Sequence, residues 1–278
     1  SNPENRSRRT GYFNAAFALG FIAGPALGGI TLAHLGVLGM FWSAAAMSVV
    51  GLAGILASYR LYSAIPRPQP KGGFLANFKL RYLAYLALFS PSLLRRLLLF
   101  ALQVVLPLLL LDAFGITSEY AGYVFSFAGG LSVILMPVAG RLYSAREHSD
   151  HARRLVGMSL IAMALSLGLI GFSANFEAFL VLFAIETVAF SLMLPAATRL
   201  FGDAVEGEPH RVQILGFFSS LRELATLAIP LTLVPLYQYH PPLAWLGMSI
   251  LCLAASLPFL RSFARSSSVV RLSAETTE

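Results

Sequence analysis

Lys and Arg fall in every second gap between the apolar runs of this chain, and that alternation restricts its fold more than any other feature. Eight stretches, at about 11–34, 37–59, 93–114, 119–143, 155–174, 177–200, 212–236 and 242–261, approach the length needed to cross a bilayer as a helix, which is about 20 apolar residues. The gaps HLGVLGM, DAFGITSE, SANFE and YQYHPP contain no Lys or Arg. The alternate gaps, the two ends and the span ends that adjoin them place 19 of the 20 basic residues on one side. A missed or extra helix would throw the later basic gaps onto the opposite face, so the pattern argues for the helix count as well as the orientation. Basic connections stay cytoplasmic. The expectation is an all-α integral membrane protein of about eight transmembrane helices, multi-pass in the plasma membrane (the bacterial inner membrane if prokaryotic), with both ends of this chain cytoplasmic and lipid as its main surroundings.

Composition agrees with that reading. Hydrophobic residues make up 57% and charged residues 12%, against about 45–50% and 25% in soluble domains. The net charge of +7 would suit a nucleic-acid partner, but the basic residues matter here through their place relative to the apolar spans, and no nucleic-acid partner is expected. A single cysteine, Cys252, gives no disulfide framework and no zinc spacing, so no metal and no cofactor are expected. The chain opens on Ser1 with polar SNPENRSRRT and no apolar leader, which suggests a fragment whose N-terminus lies upstream. Between the second and third spans, residues 61–92 read as a cytoplasmic linker: IPRPQPKGG breaks regular structure, and FLANFKLRYLAYLALF reads as an interfacial amphipathic helix, or a cytoplasmic helix packed on protein, ended by Pro91.

The first span, GYFNAAFALGFIAGPALGG, concentrates residues that weaken helices in water. In lipid the argument reverses, because helices associate by close packing and small residues let backbones approach. Ala16, Gly20, Gly24 and Gly28 recur every four residues and form one smooth face; Gly122, Ser126 and Gly130 in the fourth span repeat the spacing and offer a counterpart. The stretch also resembles, at Gly11, Gly20, Gly24, Pro25, Gly28 and Gly29, the antiporter motif G(x)8G(x)3GP(x)2GG in the fifth helix of proton-coupled drug antiporters of the major facilitator superfamily. The resemblance implies that residues 1–60 are the last two helices of an N-terminal bundle, 93–263 a six-helix C-terminal bundle and 264–278 a cytoplasmic tail, with four earlier helices missing. It implies a monomer when full length, and a chain that does not transport alone because one wall of its cavity is absent. A second family signature, roughly GxxxDRxGRR, is matched partly by Gly140, Arg146, Arg153 and Arg154, but Ser144 stands where that signature has an acid.

Ionisable groups near the bilayer centre cost about 2.5–3.5 kcal/mol on insertion scales and therefore point to function. Glu186, Arg222 and Glu223 lie about nine or ten residues inside their spans, and Gln103 falls at a similar depth. One reading is a water-accessible cavity at a single level, with a carboxylate carrying the coupling proton and Arg222 shifting between partners; the other is a static Arg–Glu pair joining two helices. Asp112, Glu119 and Glu177 read as solvated or capping groups at outer helix ends, and Trp42, Tyr59, Tyr237 and Trp245 as interfacial anchors. Enzymatic constellations such as GxSxG or HExxH are absent from the sequence. What the resemblance implies is a secondary transporter working by alternating access, exporting a small molecule or drug in exchange for protons. A metabolite symporter or uniporter, and a non-transporting sensor or interaction protein of the same fold, are the alternatives.

Overall fold

The structure, a computed structural model, describes residues 3–62, 85–142, 149–208 and 210–275. Its elements are all α-helices: α1 (Pro3–Tyr62), α2 (Leu86–Phe114), α3 (Ser118–Leu142), α4 (Ser149–Ile170), α5 (Phe176–Ala204), α6 (Arg211–Thr226), α7 (Ala228–Tyr239) and α8 (Pro241–Glu275). Seven runs among the described residues are long and apolar enough to cross a membrane. The first of these leaves helical geometry at Gly36 (φ 67°, ψ −176°), a left-handed φ that only glycine adopts at low cost. The sequence separates its first two spans at this point, so the seven runs contain its eight apolar segments.

The chain divides into two compact units. The first comprises Ser1–Leu80 and Ser118–Ser126, so the opening turns of α3, assigned by the sequence to the second bundle, group with α1. Their contact is backbone on backbone: a methyl group at Gly122 would collide with the Pro25 carbonyl oxygen and lie 3.4 Å from the Gly29 Cα. Beyond Gly36, α1 is exposed along most of its length, with Leu38, Phe41, Trp42 and Met47 all uncovered, a surface suited to hydrocarbon rather than water.

The second unit comprises Arg81–Thr117 and Phe127–Glu278. Here α4 packs along both α5 and α8. Its glycines permit the approach: a methyl group at Gly171 would sit 2.9 Å from the Trp245 Cβ and 3.2 Å from the Pro242 Cα, and one at Gly157 would meet the Phe259 Cβ at 3.4 Å. Ser249 donates across the same interface to the Ala164 carbonyl at 2.7 Å. With no hydrophobic force between helices in lipid, such close packing and cross-helix bonding hold the bundle. Trp245 is fully buried and Tyr237 is 3% exposed, so neither is the interfacial anchor the sequence suggests; both are core residues. Tyr237 donates to the Asp112 carboxylate at 3.2 Å, which makes Asp112 a cross-helix partner as well as a terminal group.

Two local details correct the reading of the spans. Pro91 does not end a helix: α2 runs through it, and the carbonyl of Ala87, left without a donor by the missing proline N–H, accepts the Ser90 hydroxyl at 2.8 Å. Leu86 to Ser92 therefore belong to α2 rather than to a separate interfacial helix, whose earlier part lies outside the described residues. The seventh span is broken at Leu227 into α6 and α7. Pro230 cannot donate to the Thr226 carbonyl, the Thr226 hydroxyl takes the Glu223 carbonyl at 2.6 Å, and the Leu227 N–H slips to Leu224 at 3.1 Å.

Candidate functional site

The intramembrane polar groups of the second unit fall into two sets. The first joins α2 to α6. Glu223 receives Arg96 on Oε2, from Nε at 3.1 Å and Nη2 at 2.8 Å, and Arg222 on Oε1, from Nε at 3.2 Å and Nη2 at 3.1 Å. Each guanidinium thus directs two N–H groups of one edge at a single carboxylate oxygen, a pair of charge-assisted hydrogen bonds. Arg95 turns the other way and lies over the Phe190 ring of α5, 5.4 Å from its centroid, close enough to feel the charges of Arg222 and Arg96. Side-chain exposure is 41% for Arg96, 33% for Arg222 and 48% for Glu223. On α6, Ser219, Ser220, Glu223, Leu224 and Leu227 line an open depression. Below it, Phe89, Phe201 and Phe218 form an aromatic cluster with centroids 4.9–5.4 Å apart.

The second set is on α5. Glu186 is 5% exposed and is the one buried carboxylate among the described residues. Its Oε2 has the Thr187 hydroxyl at 3.5 Å, and no ion pair reaches it among the described residues. One turn on, Ser191 bonds the Thr187 carbonyl at 2.7 Å and the Ser132 hydroxyl of α3 at 3.0 Å. Cys252 of α8 lies within electrostatic reach of Glu186.

The two sets lie at somewhat different depths along their helices. The Asp112–Tyr237 bond fixes a common outer reference for α2 and α7. From it, at about 1.5 Å per residue, Arg96 lies about 24 Å down and Glu223 about 21 Å. Glu186 lies only about 15 Å below Phe176, whose ring packs on Phe114 at the same outer end. Glu186 is therefore about 6–9 Å nearer the outer ends than the ion cluster, while Glu223, about 18 Å from Arg211, is itself near the middle of the α6–α7 pair. Beginning the third span at residue 93, well inside α2, hid Arg95 and Arg96, which then read as flanking charges; the apolar LALFSPSLL before them was the available signal. Gln103 is exposed, two turns beyond Arg96 on the same face of α2.

The glycine positions are only partly joined. Gly20, Gly24 and Gly28 have nothing within 4 Å of where a side chain would start, and neither does Gly130. The close contact uses the neighbouring register, Pro25 and Gly29 against Gly122; these two registers lie about 100° apart on the helix. Gly11 and Ser126 are in α1 and α3, and Gly140 is in the last turn of α3. Arg146 lies outside the described residues, while Arg153 and Arg154 occupy the first turns of α4, with Arg153 Nε buried and without a hydrogen-bond partner among them.

An all-helical chain with charged and hydroxyl side chains at membrane depth has the construction of a transport pathway. The family model of the Major Facilitator Superfamily matches residues 1–149 and again 92–277. The chain belongs to this superfamily. As a major facilitator superfamily member it is a multi-pass membrane transporter that handles small-molecule substrates. Its two matched stretches overlap over residues 92–149, so the region of α2 and α3 fits the superfamily pattern in both. No curated protein matches this superfamily member.

Proposed function

We propose that this superfamily member is a proton-coupled secondary transporter that works by alternating access and exports a small molecule or drug in exchange for protons. Its membrane is the plasma membrane, with the basic connections and both ends of this chain on the cytoplasmic side. The observation that carries the coupling is Glu186, a buried carboxyl well inside α5 with one hydroxyl in reach and no cation paired with it among the described residues. A carboxyl so placed changes its balance between charged and protonated forms whenever its access to water changes, which is the requirement for a proton carrier in an alternating cycle. Glu223 is less suited, because both of its oxygens are held by guanidinium groups. The antiporter-like glycine pattern of the first span supports exchange over one-way flow.

Inside-out vesicles carrying the full-length protein and a trapped pH indicator test this reading, challenged with cationic, neutral and anionic compounds. At least one class is expected to move protons in wild type, and Glu186→Gln to abolish that movement at unchanged protein level. Equal proton movement in Glu186→Gln, or none with any class in wild type, would overturn it.

A further inference from the structure

The charges around Glu223 do not balance. Two guanidinium groups, Arg96 and Arg222, share one carboxylate in the membrane-spanning part of the second unit, and a third, Arg95, lies within electrostatic reach of both. No second carboxylate pairs with any of them among the described residues. Glu223 occupies the Nε–Nη2 edge of Arg96 and of Arg222. The Nη1 side of each is left over, and a guanidinium has five N–H donors to place. Arg95 is held by an aromatic face rather than by an anion. Surplus positive charge that is only partly open to water favours an incoming anion. The surroundings extend the description of that partner: Ser219 and Ser220 offer hydroxyl groups, and Leu224 and Leu227, 65% and 63% exposed, offer an apolar surface beside them.

We infer that this cluster is the substrate's charge-recognition site, and that the substrate is an amphipathic organic anion. Its oxyanion group, carboxylate or phosphate, docks on Arg96 and Arg222 with Arg95 adding field, and its apolar body lies along Leu224 and Leu227. The inference deepens the transport reading above and rests on it. In this arrangement Glu223 has two effects: it holds the two guanidinium groups in place, and it competes with the incoming anion for them. Anion affinity therefore responds in opposite directions to removal of a cation and removal of the carboxylate.

Equilibrium binding of radiolabelled 1-naphthoate and its uncharged analogue 1-naphthamide to the full-length protein in phosphatidylcholine nanodiscs provides the test. Naphthoate is expected to bind and naphthamide not. Arg96→Gln and Arg222→Gln should each weaken naphthoate roughly tenfold or more, the factor for one charge-assisted hydrogen bond, whereas Glu223→Gln should tighten it. Weakening by Glu223→Gln as well as by Arg96→Gln would show a purely structural ion pair and overturn the inference, as would equal binding of the two probes. A second arm replaces part of the lipid with phosphatidylglycerol. Unchanged naphthoate binding supports a soluble anion, while displacement would assign the cluster to lipid headgroups and overturn its substrate role. Proton movement lost in Glu186→Gln is read separately, with compounds of every charge, so failure of naphthoate to bind sinks the anion assignment and leaves the transport reading to its own test.

Discussion

Arg96 and Glu223 are 127 positions apart in the chain and meet at 2.8 Å, tying α2 to α6 at membrane depth. Each is also about half exposed, so the pair is a point of attachment open to water rather than a sealed core contact. Because Arg222 shares the same carboxylate, Arg96→Gln and Glu223→Gln should not be additive. The double variant is expected to have a melting midpoint in nanodiscs well above that extrapolated from the two single variants. Strict additivity would show that the contact carries no coupling.

Ser249 makes the buried bond that crosses from α8 to the Ala164 carbonyl of α4. Ser249→Ala should cost about 0.6 kcal/mol and no more than about 1.7 kcal/mol, the range for cross-helix bonds in lipid. Ser58, exposed and bonded within its own helix to Ile55, is the control whose alanine variant should be near neutral. Reversible unfolding in mixed micelles would separate them, and equal costs would count against the interface bond.

The methyl group of Gly171→Ala would fall 2.9 Å from the Trp245 Cβ, a collision with a fully buried side chain. A loss of about 1–3 kcal/mol is expected, the usual cost of overpacking. Gly202→Ala, where nothing lies within 4 Å, should instead be neutral or gain up to about 1 kcal/mol from helix propensity. A lower melting midpoint for the Gly202 variant than for the Gly171 variant would contradict this assignment of the close approach.

Within the first unit the contact register predicts where a methyl group is tolerated. Gly122→Ala would drive its methyl group into the Pro25 carbonyl oxygen, so a loss of about 1–3 kcal/mol is expected, the usual cost of overpacking. Gly24→Ala, where nothing lies within 4 Å, should be neutral or slightly stabilising. A lower melting midpoint for the Gly24 variant than for the Gly122 variant would restore the register expected from the sequence.

The helices were legible because apolar length and the alternation of basic gaps are one-dimensional properties, and most span limits fall within a few residues of the observed ends. Glu186 was legible for a similar reason, as an acid far from either end of an apolar run. The Arg95–Arg96 pair was not, since a span begun at residue 93 rather than Leu86 left it on the flank. Tyr237 and Trp245 were misjudged because proximity to a helix end says nothing about which face is covered: one is drawn inward by Asp112 and the other by the space Gly171 leaves. The glycine stripe gave the correct period but the wrong edge. Two registers with four-residue spacing run along the same helix, and only the position of α3 decides which is used.

The break at Leu227 has a mechanical consequence. The Thr226 carbonyl has no proline N–H to lose and the Glu223 carbonyl is held by the Thr226 side chain, so flexing at this joint leaves the backbone ladder on either side whole. The segment beyond it is moored to α2 by Tyr237 and Asp112, while the segment before it carries Arg222 and Glu223. The joint thus lies between two attachments to α2, Arg96–Glu223 before it and Asp112–Tyr237 beyond it, and releasing the first leaves the second in place.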